Sequence, residues 1–168
     1  MINDISAWEI DPVLLDVVVE FQVPYVLMHM QGRPVDMQVD PTYGDVLLEV
    51  LDFLIAKQGV LVERGVLDII VDPGFGFGKT VNQNYTLLQN LQIFQMLERP
   101  MMVGLSRKSM IQKVLQVNAE KALNGTTALH MIALQRGAQI LRTHDVKAAM
   151  ECIALWKVLQ KNDRSATG

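Results

Sequence analysis

The 168 residues contain a single cysteine, Cys152, so no internal disulfide can form, which fits a reducing compartment and most simply the cytoplasm. Long basic runs are absent and the net charge is −3, which argues against a nucleic-acid partner. Long apolar runs are missing too. Hydrophobic stretches are short and broken by charges, so no segment reads as a membrane span and no membrane partner is expected. No basic-then-apolar leader opens the sequence, no His/Cys cluster has zinc spacing, and no linker or low-complexity segment interrupts it. What the chain does have is apolar residues, 50% of the total against 20% charged, enough for one domain with a real core. Residues 1–160 read as that domain and 161–168 as a polar tail that frays.

Strand-like and helix-like segments alternate. Near-continuous apolar runs at Pro24–Met28, Leu67–Val71 and Pro100–Leu105 read as parallel strands covered on both faces. Ile140–Arg142 is a weaker run and Ile2–Ile5 a clipped first one. Between them, helices are expected over Pro12–Phe21, with Asp11 as N-cap, and over Tyr43–Arg64, closed by Gly65. Further helices are expected over Tyr85–Leu97, Thr126–Arg136 and Val146–Leu159. The last carries Ala149, Cys152, Ile153, Trp156 and Leu159 on one stripe, which makes Cys152 a packing residue. Repeated strand–helix units mean a parallel α/β fold. Pattern alone leaves a closed barrel and an open doubly wound sheet as alternatives. A typical eight-unit barrel spends roughly 31 residues per unit, and five units at that rate match this length.

Polar residues and glycines gather just past the ends of these runs, where α/β enzymes carry their sites. The ends are Asn3-Asp4, Met28 to Gly32, Asp72 to Lys79, Ser106 to Ser109, and Arg142 to Asp145. The glycine-rich segment is neither of two familiar phosphate binders. A P-loop would need glycine where Pro73 stands, and a dinucleotide fingerprint would need glycine where Lys79 stands. What remains is an aspartate, a proline turn, glycines that allow close backbone approach, and two aromatic faces, Phe75 and Phe77. The plainer reading is a turn with two core phenylalanines.

The stretch Ile70-Val71-Asp72-Pro73-Gly74-Phe75-Gly76-Phe77-Gly78-Lys79 resembles the signature of the dihydropteroate synthase family. So do Val26 to Gly32, Gly104 to Ser109 and Leu141 to Asp145, in family order, and Ile2-Asn3-Asp4 matches a further family position. The resemblance covers nearly the whole chain. It implies an α/β fold, the C-terminal five βα units (strands four to eight) of a TIM (β/α)8 barrel, as a partial pterin-binding barrel open on one side. It also implies a transferase that joins a dihydropterin-methyl group, from its diphosphate, to p-aminobenzoate.

The site roles follow from the same resemblance. Asp72 and Asn3 would hydrogen-bond the donor-rich edge of the pterin, and Met28 and Gly104 would line its slot. Lys108 would donate to the pterin and contribute to the p-aminobenzoate pocket. Ser106 would hold the p-aminobenzoate carboxylate, with Phe75 and Phe77 flanking its ring. Arg142 and His144 would hold the diphosphate, offsetting charge on the bridging oxygen. Lys108, Arg142 and His144 are thus the catalytic candidates. Magnesium is implied as cofactor, held mainly by the diphosphate. The family's protein-side metal contact and a second pterin-binding aspartate lie on strands these residues do not match, so no metal ligand is assigned here. His29 reads as a structural hydrogen-bonder and His130 as a core residue. Asp4 and Asp145 receive no role. The structural alternatives are a turn cap for Asp72 and solvated rim charges for Lys108 and Arg142. A folate-dependent methyltransferase pterin domain would share the Asn and Asp anchors but has less need of Lys108, Arg142 and His144 together. A third reading is a non-catalytic fragment. Open edges of a partial barrel should expose apolar surface, so aggregation or a homodimer is expected.

Overall fold

The computed structural model describes residues 1–37 and 39–165. Its elements run β1 (Ile2–Asp4), α1 (Val13–Phe21), β2 (Tyr25–Met28), α2 (Val46–Glu63), β3 (Ile69–Asp72) and α3 (Val81–Gln89). A 3-10 segment, Leu91–Leu97, precedes β4 (Met102–Val103) and α4 (Ser109–Leu115). After a 3-10 turn, Ala119–Lys121, come α5 (Leu123–Gln135), β5 (Ile140–Leu141) and α6 (Val146–Ser165).

All strand pairings are parallel and sequential. β1, β2 and β3 form one sheet and β4 and β5 another, and a single parallel bridge between Val71 and Met101 joins them. Five strand units in chain order are therefore present among the described residues. Period-two alternation then sorts the side chains. Tyr25, Leu27, Ile69, Val71, Met101 and Val103 enter the main core, where α1 supplies Leu15 and Val18, α2 supplies Val50 and Leu54, and α3 supplies Leu87. The alternate residues Val26, Ile70 and Met102, with Ile140 against them, form a small second cluster on the other face. The helices of the main core thus cover one face only. The opposite face is where the next residue of the same parity along each strand will lie.

The helix ends have local causes. Asp45 caps α2 by accepting from the Leu47 and Leu48 N–H groups, so α2 starts after Tyr43, where the periodicity placed it. The Asp11 carboxylate accepts from Val13 N–H at 3.2 Å, with Pro12 at the N-cap position rather than the first helical one. The helix expected over Tyr85–Leu97 is two elements. Thr80 and Gln83 form a capping box that starts α3 four residues earlier, and Asn90 ends it before the 3-10 segment. Helix α4 has no counterpart in the sequence reading; seven residues are too few for a clear period. Helix α6 runs to Ser165, so residues 161–165 of the expected tail are helical, and 166–168 lie outside the described residues. Ala149 and Cys152 are buried along it and Ile153 and Trp156 are half-buried, but Leu159, the last residue of the expected stripe, is exposed; the Cys152 thiol donates to the Thr127 carbonyl. No helix among the described residues is long and apolar enough to cross a membrane.

Candidate functional site

Strand register brings five of the expected residues, Asn3, Met28, Asp72, Gly104 and Arg142, to one face. Met28 pairs with Asp72, two positions beyond Val26 and Ile70, so both share the face of the small cluster and lie one layer nearer the strand ends. Gly104 and Arg142 stand in the same relation to Met102 and Ile140, which pair across β4 and β5. A methyl added at Gly104 would lie 2.7 Å from Arg142 Nη2, so the guanidinium lies directly over this glycine and would have to move for any side chain there. Asn3 pairs with Val26 and so shares the face, one layer below, with an exposed side chain.

Asp72 is the electrostatic centre. It is 2% exposed, and its Oδ1 accepts the Gly74 N–H at 2.8 Å. Burial raises its carboxyl above the usual range, while that N–H and the nearby Lys108, Arg142 and Lys79 charges pull the other way. Lys108 reaches over the glycine loop. Its ammonium donates to the Phe75 carbonyl and sits 4.5 Å from the centre of the Phe77 ring. Desolvation brings Lys108 down to about 8, with Asp72 opposing and Arg142 reinforcing that shift.

The loop itself follows from its glycines. Gly74 and Gly78 have φ of +72° and +60°, and a methyl on either would run into the carbonyl oxygen of His29 or Gln31. The chain past β3 therefore packs backbone to backbone against the end of β2. The Gly76 N–H donates to Asn84 Oδ1 at 2.6 Å, and Tyr43 OH donates to the Gly78 carbonyl at 2.8 Å.

Two expected residues stand differently from their anticipated roles. Phe75 is 0% exposed and belongs to the main core, so it reaches the site through its carbonyl rather than its ring. Phe77 is half-buried under Lys108 and is the aromatic face present there. The Ser106 hydroxyl, anticipated at a carboxylate, accepts the His144 N–H at 3.2 Å and lies 2.9 Å from His144 Nδ1. It fixes the imidazole of an otherwise exposed histidine.

Several contributors carried no assignment in the sequence. Lys79 is 2% exposed, and its amine meets His29 Nδ1, Gly74 O and Phe77 O. His29 is the structural hydrogen-bonder expected; burial and Lys79 push it down to about 3, so it is neutral. Asp145 takes a bidentate ion pair from Arg107 at 2.6 and 2.9 Å, which holds its carboxyl below the usual range. That pair fastens the loop after β4 to the loop after β5. Asp4 accepts from Ser6, Trp8 and Tyr25 OH, the last at 2.6 Å, and so shapes the turn after β1. The Thr80-x-x-Gln83 capping box was a legible signal for Lys79's position. Nothing local announces the bond from Tyr25 to Asp4 or the pair of Arg107 with Asp145. His130 is buried at 1% exposure, as expected of a core residue.

Among the described residues, no group of three His, Cys, Asp or Glu side chains could hold a metal ion. The three acids nearest the site are engaged with Tyr25, with Arg107, and with the cations around Asp72. Among the described residues these acids form no all-protein cage for magnesium.

The family model described as pterin binding enzyme matches residues 1–144. The dihydropteroate synthase of Haemophilus influenzae is 43% identical over 159 residues, covering 94% of this chain and 58% of that protein. The Escherichia coli K12 enzyme is 41% identical over 155 residues, covering 91% and 55%. Among solved structures, the Yersinia pestis dihydropteroate synthase with a sulfonamide drug complex superposes with a TM-score of 0.92 at 36% identity, covering 95% of this chain and 59% of that one. The Xanthomonas albilineans enzyme in complex with 7,8-dihydropteroate gives 0.87 at 38% identity, covering 95% and 59%. The chain thus spans a little under three fifths of the length of these relatives.

Proposed function

Because the chain belongs to the pterin-binding enzyme family, we propose that it carries the pterin-anchoring and diphosphate-handling part of a dihydropteroate synthase. Its five strand units correspond on this reading to strands four to eight of a TIM barrel, with residues 1–160 forming the partial barrel. The carrying observation is the buried Asp72, oriented by the Gly74 N–H, on the same face and at the same end as Met28, Gly104 and Arg142.

A flat heterocycle with an amino-bearing edge suits that arrangement. Asp72 would accept from the pterin's amino and ring N–H groups, and Asn3 would supply a second polar anchor. Met28 and Gly104 would face the ring. Lys108 would donate from above, between the pterin and a p-aminobenzoate ring lying against Phe77. Ser106 and Phe75 would act through His144 and Lys108 respectively, as their contacts suggest.

In the reaction, the p-aminobenzoate nitrogen attacks the methylene carbon of the dihydropterin diphosphate. The carbon–oxygen bond to the diphosphate breaks, and the nitrogen then loses a proton. Arg142 and His144 would offset the charge that builds on the departing oxygen. Magnesium would accompany the diphosphate as part of the substrate. Positioning and leaving-group stabilisation would carry the rate, with no covalent enzyme intermediate.

Self-association is part of this proposal. Val146, Met150, Leu155, Val158 and Leu159 are all more than half exposed along α6. The test of function is titration of the 168-residue chain with 6-hydroxymethylpterin, beside a turnover assay with the pterin diphosphate, p-aminobenzoate and magnesium. Weak pterin binding without turnover is expected. A folded chain that binds no pterin would refute the reading of the anchors, and robust turnover would show that the matched residues suffice for chemistry.

A further inference from the structure

We propose that Lys79 is a positioning residue for the pterin loop: its buried ammonium, tied to His29 Nδ1 and to the Gly74 and Phe77 carbonyls, fixes the backbone that presents Asp72 and Phe77. The pterin half of this proposal rests on the function proposed for the site; the loop half does not.

The geometry is that of a filled donor set. An alkylammonium has three N–H bonds and no acceptor. Lys79 Nζ has three acceptors, at 2.9 Å from His29 Nδ1, 2.9 Å from Gly74 O and 3.0 Å from Phe77 O. The side chain is 2% exposed, so none of these contacts is shared with bulk water. Such burial is unfavourable for a lysine unless every donor is satisfied. His29 can serve only if Nδ1 is bare, which places its proton on Nε2 and keeps the ring neutral. Its depressed pKa agrees with this.

Each contact bears on the site. Gly74 is the residue whose N–H orients the Asp72 carboxylate, and its carbonyl is held by Lys79. The Gly74 carbonyl also accepts the Phe77 N–H at 3.1 Å, so one amine fixes both ends of this turn. Phe77 carries the ring beneath Lys108. His29 follows directly on β2, so the amine ties the β3 loop to the neighbouring strand end. Asn84 holds Lys79 from behind, donating to its carbonyl at 3.1 Å. Lys79 thus acts through the backbone it holds.

The amine is also poised to lose its proton. Burial brings Lys79 down to about 7, with Asp72 opposing and Lys108 reinforcing the shift. The titratable groups around it are His29, Asp72 and Lys108. A neutral amine keeps two N–H donors for its three acceptors but carries no buried charge, so the closed loop gains on the open one as the proton leaves.

The experiment is hydrogen exchange of the loop at residues 72–79 in the full 168-residue chain, read at pH 6 and pH 8, together with titration by 6-hydroxymethylpterin. Lys79→Met is compared with Lys147→Met, which removes an exposed charge on α6. The loop in Lys79→Met should exchange about ten- to a hundredfold faster, the size expected for losing charged hydrogen bonds. Pterin affinity should fall about tenfold by the same reasoning. In the unsubstituted chain, loop protection should be stronger at pH 8 than at pH 6 after correction for intrinsic exchange, because the opened loop returns the amine to its ordinary basicity and binds the proton more tightly than the closed one, and Lys79→Met should largely abolish that difference. His29→Asn retains an acceptor for the amine and should keep the loop protected; His29→Leu should not. This pair carries the test if Lys79→Met fails to fold. Exchange as slow in Lys79→Met as in Lys147→Met overturns the proposal, as does equal protection in the two His29 variants or an unchanged pterin affinity with a loosened loop. If the loop responds as expected and the unsubstituted chain binds no pterin, the positioning role stands and the function proposed for the site fails.

Discussion

The ends of β3 and β5 meet at one site and are built in opposite ways. At β3, Asp72 and Lys79 are each 2% exposed, and the loop between them is pinned by glycine contacts, Asn84 and a filled ammonium. At β5, Arg142 and His144 are exposed, and one serine hydroxyl positions the imidazole. On the function proposed for the site, the difference suits two kinds of ligand. A flat heterocycle recognised by hydrogen bonds needs donors and acceptors already fixed and dehydrated, because any reorganisation is subtracted from affinity. A diphosphate that must leave is better met by cations that water can reach. Buried polar groups are expensive to disturb, and exposed ones are cheap.

The largest effect should come from Gly74→Ala. The added methyl meets the His29 carbonyl at a φ of +72°, so backbone must shift at the centre of the pinned loop. Backbone strain alone costs of order 1–3 kcal/mol, and the collision adds to it. Urea unfolding should show a clear drop in midpoint, and an unchanged midpoint would break the claim that this loop is rigid. Gly104→Ala is the counterpart at the open side. Its methyl meets the end of the flexible Arg142 side chain, so stability should hold while inorganic diphosphate binding weakens severalfold.

Asp72→Ala should come next. It removes the carboxylate whose charge offsets the burial of Lys79 and Lys108 and leaves the Gly74 N–H without its acceptor, a loss of about 1–3 kcal/mol. Partial deprotonation of the two lysines will soften the loss. Pterin binding should fall at least as steeply as stability. Arg142→Ala should leave the urea midpoint within about 0.5 kcal/mol and, in a full-length synthase built on these residues, slow diphosphate release. Equal destabilisation by the two substitutions would erase the contrast.

The pH dependence should be milder. Lys79 and Lys108 are brought down to about 7 and 8 in the folded chain, against a usual value of 10.5. Between about pH 8 and pH 10 the unfolded chain therefore holds more protons on these lysines, and stability should rise with pH. Tyr25 and Tyr43, both raised by burial, should reverse that rise above about pH 10, where the unfolded phenols ionise first. On the acid side His29 remains neutral down to about 3, so stability should fall as pH drops below about 6.5, where the unfolded imidazole gains its proton. Thermal unfolding in matched ionic strength would show these limbs. Lys79→Met should flatten the alkaline one, and no change there would mean that the amine is not the buried group it is taken for.

Smallest should be the change from Ser106→Ala. It removes the acceptor that orients His144 but touches no buried charge, so a loss of about 0.5–1.5 kcal/mol in stability is expected. Inorganic diphosphate binding should weaken a few-fold, because the imidazole is then free to turn. A loss as large as that of Asp72→Ala would show that the open side is more tightly built than its exposure indicates.

The sequence by itself determined the order of the elements and the polar residues at each strand end, because both are written locally. Continuous apolar runs mark Tyr25–Met28 and Ile69–Asp72, and the motif from Asp72 to Lys79 marks the turn that follows. It also carried the family, since the matching residues fall in order along almost the whole chain. It misplaced the start of α3 and passed over α4, where propensity over seven to nine residues is weaker than capping and packing. Which face each residue shares was decided by register, and the roles of Phe75, Ser106 and Lys79 were decided by partners far along the chain. His29 and Lys79 are 50 positions apart, and Arg107 and Asp145 are 38 apart. No local pattern encodes such a pair. Only the parallel stacking of β2 against β3 and β4 against β5 brings these groups within bonding distance, and burial there turns a lysine and a histidine into a fixed support for the site.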